Sequence, residues 1–319
     1  MPTIEEAAET ARERFRSMDF RVRELRNRTG PFAATLFDVW ASRPNEPEAR
    51  YVYKLPPEDR RGEFELLAEL GDELKPWLPD VLGRFDDPRA IVMRYAGEPL
   101  LPPEAPERAP LAERRAAYGI VAERLAELHA RTAPAVDGWA REGRVPSYAY
   151  SREWADEMLE AAGGLLDGGT VRRLAALADD FYAGYSESRM RGPRAFTHGD
   201  THWGNALWLD GRLTLIDWEW CRASTPMRDI AILVQDEPDD DVLSHVAEEH
   251  AERLLRAGVG DAKADLMYDF AVMMIDNSFM TLGWDAALRR RGDVTERRFQ
   301  EVAARRIARI ASFWKQIEG

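Results

Sequence analysis

Thr197-His198-Gly199-Asp200 is followed by Asn205 and then by Ile216-Asp217-Trp218-Glu219. An Asp, an Asn five residues on and a second Asp beyond a short apolar stretch make a set suited to phosphoryl transfer. One carboxylate orients a hydroxyl, while the Asn and the second carboxylate hold Mg²⁺ against the phosphates of a nucleoside triphosphate. Asp200 is therefore the candidate catalytic residue, and Asn205 and Asp217 are the candidate metal ligands. Mg²⁺ takes few protein oxygens and keeps waters and phosphates for the rest, so two ligands suffice.

A hairpin must bring those two ligands together. Ala206-Leu207-Trp208-Leu209 is apolar, Asp210-Gly211 is a two-residue turn signal, and Leu213-Thr214-Leu215-Ile216 alternates outward again. That turn pairs Leu209 with Arg212 and sets Asn205 opposite Ile216. Asn205 and Asp217 then share the open end of the hairpin.

The run His198-Gly199-Asp200-Thr201-His202-Trp203-Gly204-Asn205, with Ile216-Asp217-Trp218-Glu219 after it, resembles the aminoglycoside phosphotransferase and choline kinase family. Every fixed position of that family's H-G-D-x-H-x-G-N loop is matched. The resemblance implies an α+β, protein-kinase-like bilobal fold, with a small β-rich lobe over residues 1–95 and a larger helical lobe over 96–319. It implies a small-molecule kinase that uses Mg²⁺ and ATP or GTP. The leading acceptor class it implies is an aminoglycoside-like antibiotic. A metabolite alcohol such as choline, homoserine or a sugar is the alternative, and a silent nucleotide-binding module is a third reading. By resemblance His198 braces the loop, and Asp229, in Met227-Arg228-Asp229-Ile230-Ala231, supports it by hydrogen bonding. The family usually has Gly-Asp before Pro226, where this chain has Ser224-Thr225.

The nucleotide needs a cation from elsewhere. Lys54 ends the apolar run Tyr51-Val52-Tyr53-Lys54-Leu55, where a strand lysine reaches the α- and β-phosphates and pairs with a helix glutamate. Glu63 is the expected partner, with Glu65 as the fallback. Thr29 and Gly30 lie in a turn whose N–H groups suit phosphate, although the stretch lacks G-x-G-x-x-G. Met93 to Tyr95 are expected to face the adenine through backbone groups.

Composition narrows the partner. The formal net charge of −13 argues against a nucleic-acid backbone and is compatible with a cationic acceptor. Candidate contacts for such an acceptor are Glu219, Asp236, Glu237, Asp276 and Asp285. Trp203, Trp218, Trp220 and Trp284 are aromatic faces that suit a quaternary ammonium group, or else core residues. One cysteine, Cys221, excludes an internal disulfide. The most apolar window, residues 270–284, is interrupted by Asp276 and Asn277 and is too short to span a bilayer. A cytoplasmic protein without membrane or nucleic-acid partners is expected, and oligomeric state is left open.

The pattern also predicts the elements that carry these groups. Thr3 and Glu6 form a capping box before a helix over Ile4–Met18. Strands are expected at 21–25, 33–41, 50–55, 81–85 and 90–95, with one helix over 63–74 after the third. Helices are expected from Leu111 onward, then over 152–166, 171–188, 241–257, 261–288 and 294–317.

Overall fold

The computed structural model describes residues 3–28, 34–56, 62–103, 105–184 and 189–318. Helix α1 (Ile4–Ser17) opens with the expected capping box: Glu6 N–H donates to Thr3 Oγ1 at 3.2 Å, and Thr3 N–H donates to Glu6 Oε2 at 2.8 Å. Strands β1 (Arg21–Asn27), β2 (Thr35–Ser42) and β3 (Ala49–Leu55) follow. Next come α2 (Gly62–Glu69), α3 (Gly71–Leu74), β4 (Val81–Asp86), β5 (Arg89–Arg94) and the two-residue β6 (Glu98–Pro99). The helix expected over 63–74 is thus two helices. Leu70 leaves helical geometry at φ −125°, ψ 8°, ahead of Gly71, and glycine is a poor interior helix residue.

Helices α4 (Leu111–Arg141), α5 (Arg152–Gly163) and α6 (Gly168–Gly184) come next. Helix α6 starts earlier than its apolar pattern suggests, because Asp167 Oδ1 accepts from the N–H groups of Gly169 and Thr170 at 3.0 and 2.9 Å. Then come β7 (Ala195–Thr197), β8 (Ala206–Leu209), β9 (Arg212–Leu215) and β10 (Arg222–Ser224). Helices α7 (Met227–Leu233), α8 (Asp240–Arg256), α9 (Lys263–Arg291) and α10 (Glu296–Glu318) complete the chain. Strands β6, β7 and β10, two or three residues each, carry too little pattern to be read from sequence.

Spatial proximity divides the chain into two units: residues 1–100 with 205–220, and residues 101–204 with 221–319. The first unit holds an antiparallel sheet in the order β1-β2-β3-β5-β4. Ala7, Ala11 and Phe15 of α1 recur at helical spacing and pack with Phe37, Val39, Tyr51 and Tyr53 of the sheet. A second, smaller core joins Phe64 of α2 to Ile91 and Met93 of β5. The same unit contains a three-stranded sheet in the order β6-β8-β9. Gly97 makes that pairing possible. It adopts φ +108°, and a Cβ there would lie 2.0 Å from the carbonyl oxygen of Trp208.

The second unit is helical, and an apolar core there joins α5, α6, α9 and α10, including Phe181, Phe279 and Phe299. Strands β7 and β10 pair antiparallel beside it. The α+β class, with a sheet-rich N-terminal region and a helical C-terminal part, is the expected one. Among the described residues, no helix is long and apolar enough to cross a membrane.

Candidate active site

In the first unit the local rules act as the sequence suggests. Asp210 and Gly211 both take positive φ, 51° and 81°, as a type I′ turn requires. Leu209 pairs with Arg212 and Ala206 with Leu215, and Ile216 N–H donates to Asn205 O at 3.0 Å. Asn205 and Asp217 therefore stand at one end of the hairpin. Their donor set, one amide oxygen and one carboxylate, suits a hard cation that brings waters and phosphates with it. Among the described residues, no three His, Cys, Asp or Glu side chains gather as a metal-binding cluster.

Lys54 lies between two carboxylates of the same unit. Its Nζ is 2.5 Å from Glu63 Oε2 and 2.8 Å from Asp217 Oδ1. The lysine and Glu63 side chains are 9% and 3% exposed, whereas Asp217 is 38% exposed. Burial alone would push the ammonium toward neutrality, but the two carboxylates outweigh it and raise the Lys54 pKa above the usual lysine range. Asp217 itself adopts φ +65°. A non-glycine residue in that region costs on the order of 1–3 kcal/mol and persists where its surroundings over-determine it. Here the hairpin end and the Lys54 contact do so.

Other nucleotide-side candidates are placed less directly. Met93 is buried between β3 and β4, opposite Val52 and Val81. Tyr95 N–H donates to Arg50 O at 3.1 Å. Its ring stacks on the Arg50 guanidinium at 3.8 Å, and its hydroxyl donates to Glu98. Thr29 and Gly30 lie outside the described residues.

In the second unit the loop after β7 is built on Asp229. Its carboxylate accepts from His198 N–H at 2.9 Å and Gly199 N–H at 2.7 Å. His129 Nε2 lies 2.9 Å from the same carboxylate. Asp229 is fully buried; burial opposes its charge, yet these donors and the nearby His198 hold its pKa below the usual carboxylate range. Thr201 Oγ1 also donates to Asp229 O at 2.5 Å. The loop thus hangs on one helix residue, and Gly199 turns the chain at φ +81° to allow it. Asp200 follows at once. Its N–H donates to His198 Nδ1 at 3.2 Å, and its Oδ2 lies 3.5 Å from His202 Nε2. The carboxylate remains about one-third exposed, at 31%.

Two residues of α4 take part that motif spacing does not mark. His129 contacts Asp229, and Thr132 Oγ1 accepts from Phe196 N–H at 3.2 Å while donating to Leu128 O at 2.8 Å. A buried His and Thr three apart beside an apolar seam was the available signal. Asp276 of α9 is likewise joined to groups far away in sequence. It accepts from Tyr182 Oη at 2.8 Å and from Tyr148 Oη, and burial raises its pKa despite both hydroxyls.

Three of the remaining acidic candidates are held by arginines. Glu237 is buried and takes Arg114 through both oxygens at 3.1 Å. Asp236 and Asp285 share Arg306, at 3.1 and 2.5 Å. Glu219 sits in the short turn Trp218–Trp220 of the first unit. Trp203 packs on Tyr118 at 4.9 Å, and fully buried Trp218 donates from Nε1 to Leu215 O at 3.0 Å, so both are core residues.

A family model described as the phosphotransferase enzyme family matches residues 31–264. No curated protein matches the chain. Among solved structures, a choline kinase from Cryptosporidium parvum Iowa II is similar with TM-score 0.65 at 14% identity, covering 97% of this chain and 96% of that one. A putative aminoglycoside phosphotransferase from Ralstonia eutropha JMP134 has TM-score 0.60 at 13% identity, covering 98% of both chains. A macrolide 2′-phosphotransferase from Brachybacterium faecium has TM-score 0.57 at 18% identity, covering 93% and 97%. At these identities the likeness is one of fold.

Proposed function

The chain belongs to the phosphotransferase enzyme family and is a phosphotransferase acting on hydroxyl groups; we propose that it moves the γ-phosphoryl of ATP or GTP to a small-molecule alcohol. The observation that carries this reading is Lys54, buried between Glu63 and Asp217 at 2.5 and 2.8 Å. A buried ammonium with one carboxylate partner half open to solvent is suited to phosphate oxygens, which strengthen in a site of low dielectric. Asn205 and Asp217 are the residues that would hold Mg²⁺, which when bound offsets phosphate charge.

Asp200 accepts the hydrogen bond of the acceptor hydroxyl and aims its oxygen at the γ-phosphorus. As the new O–P bond forms and the bond to the β-bridging oxygen breaks, the hydroxyl proton passes to Asp200, and nucleoside diphosphate departs. Asp229 acts at one remove, by fixing the backbone of His198 and Gly199.

Two acceptor classes follow from the family, and one observation supports the choice between them. Asp236, Glu237 and Asp285 spend their charge on Arg306 and Arg114. That favours a compact metabolite alcohol, such as choline, homoserine or a sugar, over a polycationic aminoglycoside. The test is nucleoside-diphosphate release from MgATP and MgGTP across aminoglycosides, macrolides, choline, homoserine and sugars. Release stimulated by one class and abolished in Asp200→Asn is expected. A thermal shift by nucleotide without any stimulated release would instead support a silent binding module.

A further inference from the structure

His250 of α8 extends the support of the catalytic loop beyond Asp229. Its Nδ1 lies 3.1 Å from Ala122 O, and its Nε2 lies 3.2 Å from His129 Nδ1. His129 Nε2 in turn lies 2.9 Å from Asp229 Oδ2. The two rings stand perpendicular, and all three side chains are fully buried. No solvent reaches them to satisfy a missing donor, and a buried polar atom left unpaired is costly.

The protons in this line can be counted. A carbonyl oxygen only accepts, so His250 Nδ1 carries a proton. Between the rings one nitrogen donates and the other accepts, which takes a second proton. The contact between His129 and Asp229 takes a third. Two neutral imidazoles supply only two. Fewer than three protons leaves one of the three hydrogen bonds unmade. A fourth sets two N–H groups against each other between the rings. The carboxylate, already receiving two backbone N–H groups, is the natural counter-charge for the extra proton.

We propose that His250 is a positioning residue of the phosphotransfer reaction: by accepting from His129 Nδ1 it keeps His129 as the imidazolium that locks Asp229, and with it the backbone of His198 and Gly199. The consequence for catalysis rests on the proposed role of Asp200, but the proton count does not. Other titratable or charged groups around the line are His198 and Arg253, which face it from the loop and from α8. Arg253 is held by Glu249 at 3.1 Å and Glu123 at 3.5 Å. Arg228, beside Asp229, points to Thr197 Oγ1 at 3.1 Å. Neither arginine guanidinium takes the place of the third proton.

Nitrogen-15 NMR of the histidine rings in the full chain tests this at pH 8, above the ordinary histidine pKa of about 6.5. One histidine with both ring nitrogens protonated is expected, and His129→Gln should remove it. His250→Leu should abolish that signature, while His250→Gln, whose amide oxygen still accepts, should keep it. Amide exchange at His198 and Gly199 should quicken at least about tenfold in His250→Leu, with Phe196 unchanged, because only the former pair depends on Asp229. A wild-type protein in which every histidine has an unprotonated ring nitrogen at pH 8 overturns the proposal, even if His250→Leu does not fold. Unchanged exchange at His198 and Gly199 in a folded His250→Leu overturns it as well. None of these readouts needs nucleotide or acceptor. An intact imidazolium in a protein that phosphorylates nothing would count against the proposed function, and with it the catalytic consequence, and leave the proton count and its hold on the loop standing.

Discussion

Two buried charge clusters divide the work differently. In the first unit Lys54 is held between Glu63, which is buried, and Asp217, which is 38% exposed. In the second, Asp229 is fully buried and receives two backbone N–H groups and an imidazole. The first cluster has an open side, on a residue held at φ +65°. Charge left reachable there is suited to exchange one partner for another. The second has every oxygen engaged within the protein, which is suited to holding a loop still. Removing a charge from the open cluster should therefore harm activity more than folding, and removing one from the closed cluster should harm both.

The largest effect is expected at the chemistry itself. Asp200→Asn should lower the turnover of diphosphate release by about 10²–10⁴-fold, with a melting temperature close to wild type. Asp229→Asn comes next and strikes stability. It leaves the proposed His129 imidazolium buried without its counter-charge, and chemical denaturation should show a loss of about 3–5 kcal/mol. A loss below about 1 kcal/mol would end the contrast between the clusters.

Acid should separate them more gradually. Burial and the neighbouring His129 push the His250 pKa down to about 3. The unfolded chain takes that proton at about 6.5, so stability is present above that pH and is lost as pH falls from there toward 3. The slope is up to about 1.4 kcal/mol per pH unit. Asp229, with its lowered pKa, adds a loss in the same direction once pH falls below about 4. Denaturant midpoints from pH 7 to pH 4 check this, and His250→Gln should flatten the upper part of the curve.

The smallest effect on stability is expected at Asp217. Asp217→Gly removes a metal-ligand candidate but relieves a strained backbone, a gain of about 1 kcal/mol against the loss of one half-exposed ion pair. Diphosphate release should collapse while the melting temperature stays within about 4 °C of wild type. A large drop in melting temperature would mean that Asp217 serves the fold rather than the ligand.

What was legible in the chain follows from distance along it. The capping box of Thr3 and Glu6, the turn at Asp210-Gly211 and the register of its hairpin are set by neighbours within a few residues. Lys54 stood out because it ends an apolar strand, with Glu63 only nine positions on. The acidic candidates fared differently. Asp236, Glu237 and Asp285 had an open field in the sequence, and arginines 21 to 123 positions away occupy them in the fold.

The sequence alone therefore marked the residues proposed to react, His198 to Asn205 and Asp217, and determined the α+β order of elements, because local spacing and periodicity carry both. Only the tertiary structure decided what those residues lean on. His250 meets His129 across 121 positions, and Asp276 meets Tyr148 across 128. Buried polar groups must find partners wherever packing places them, and no local pattern records which partner that will be.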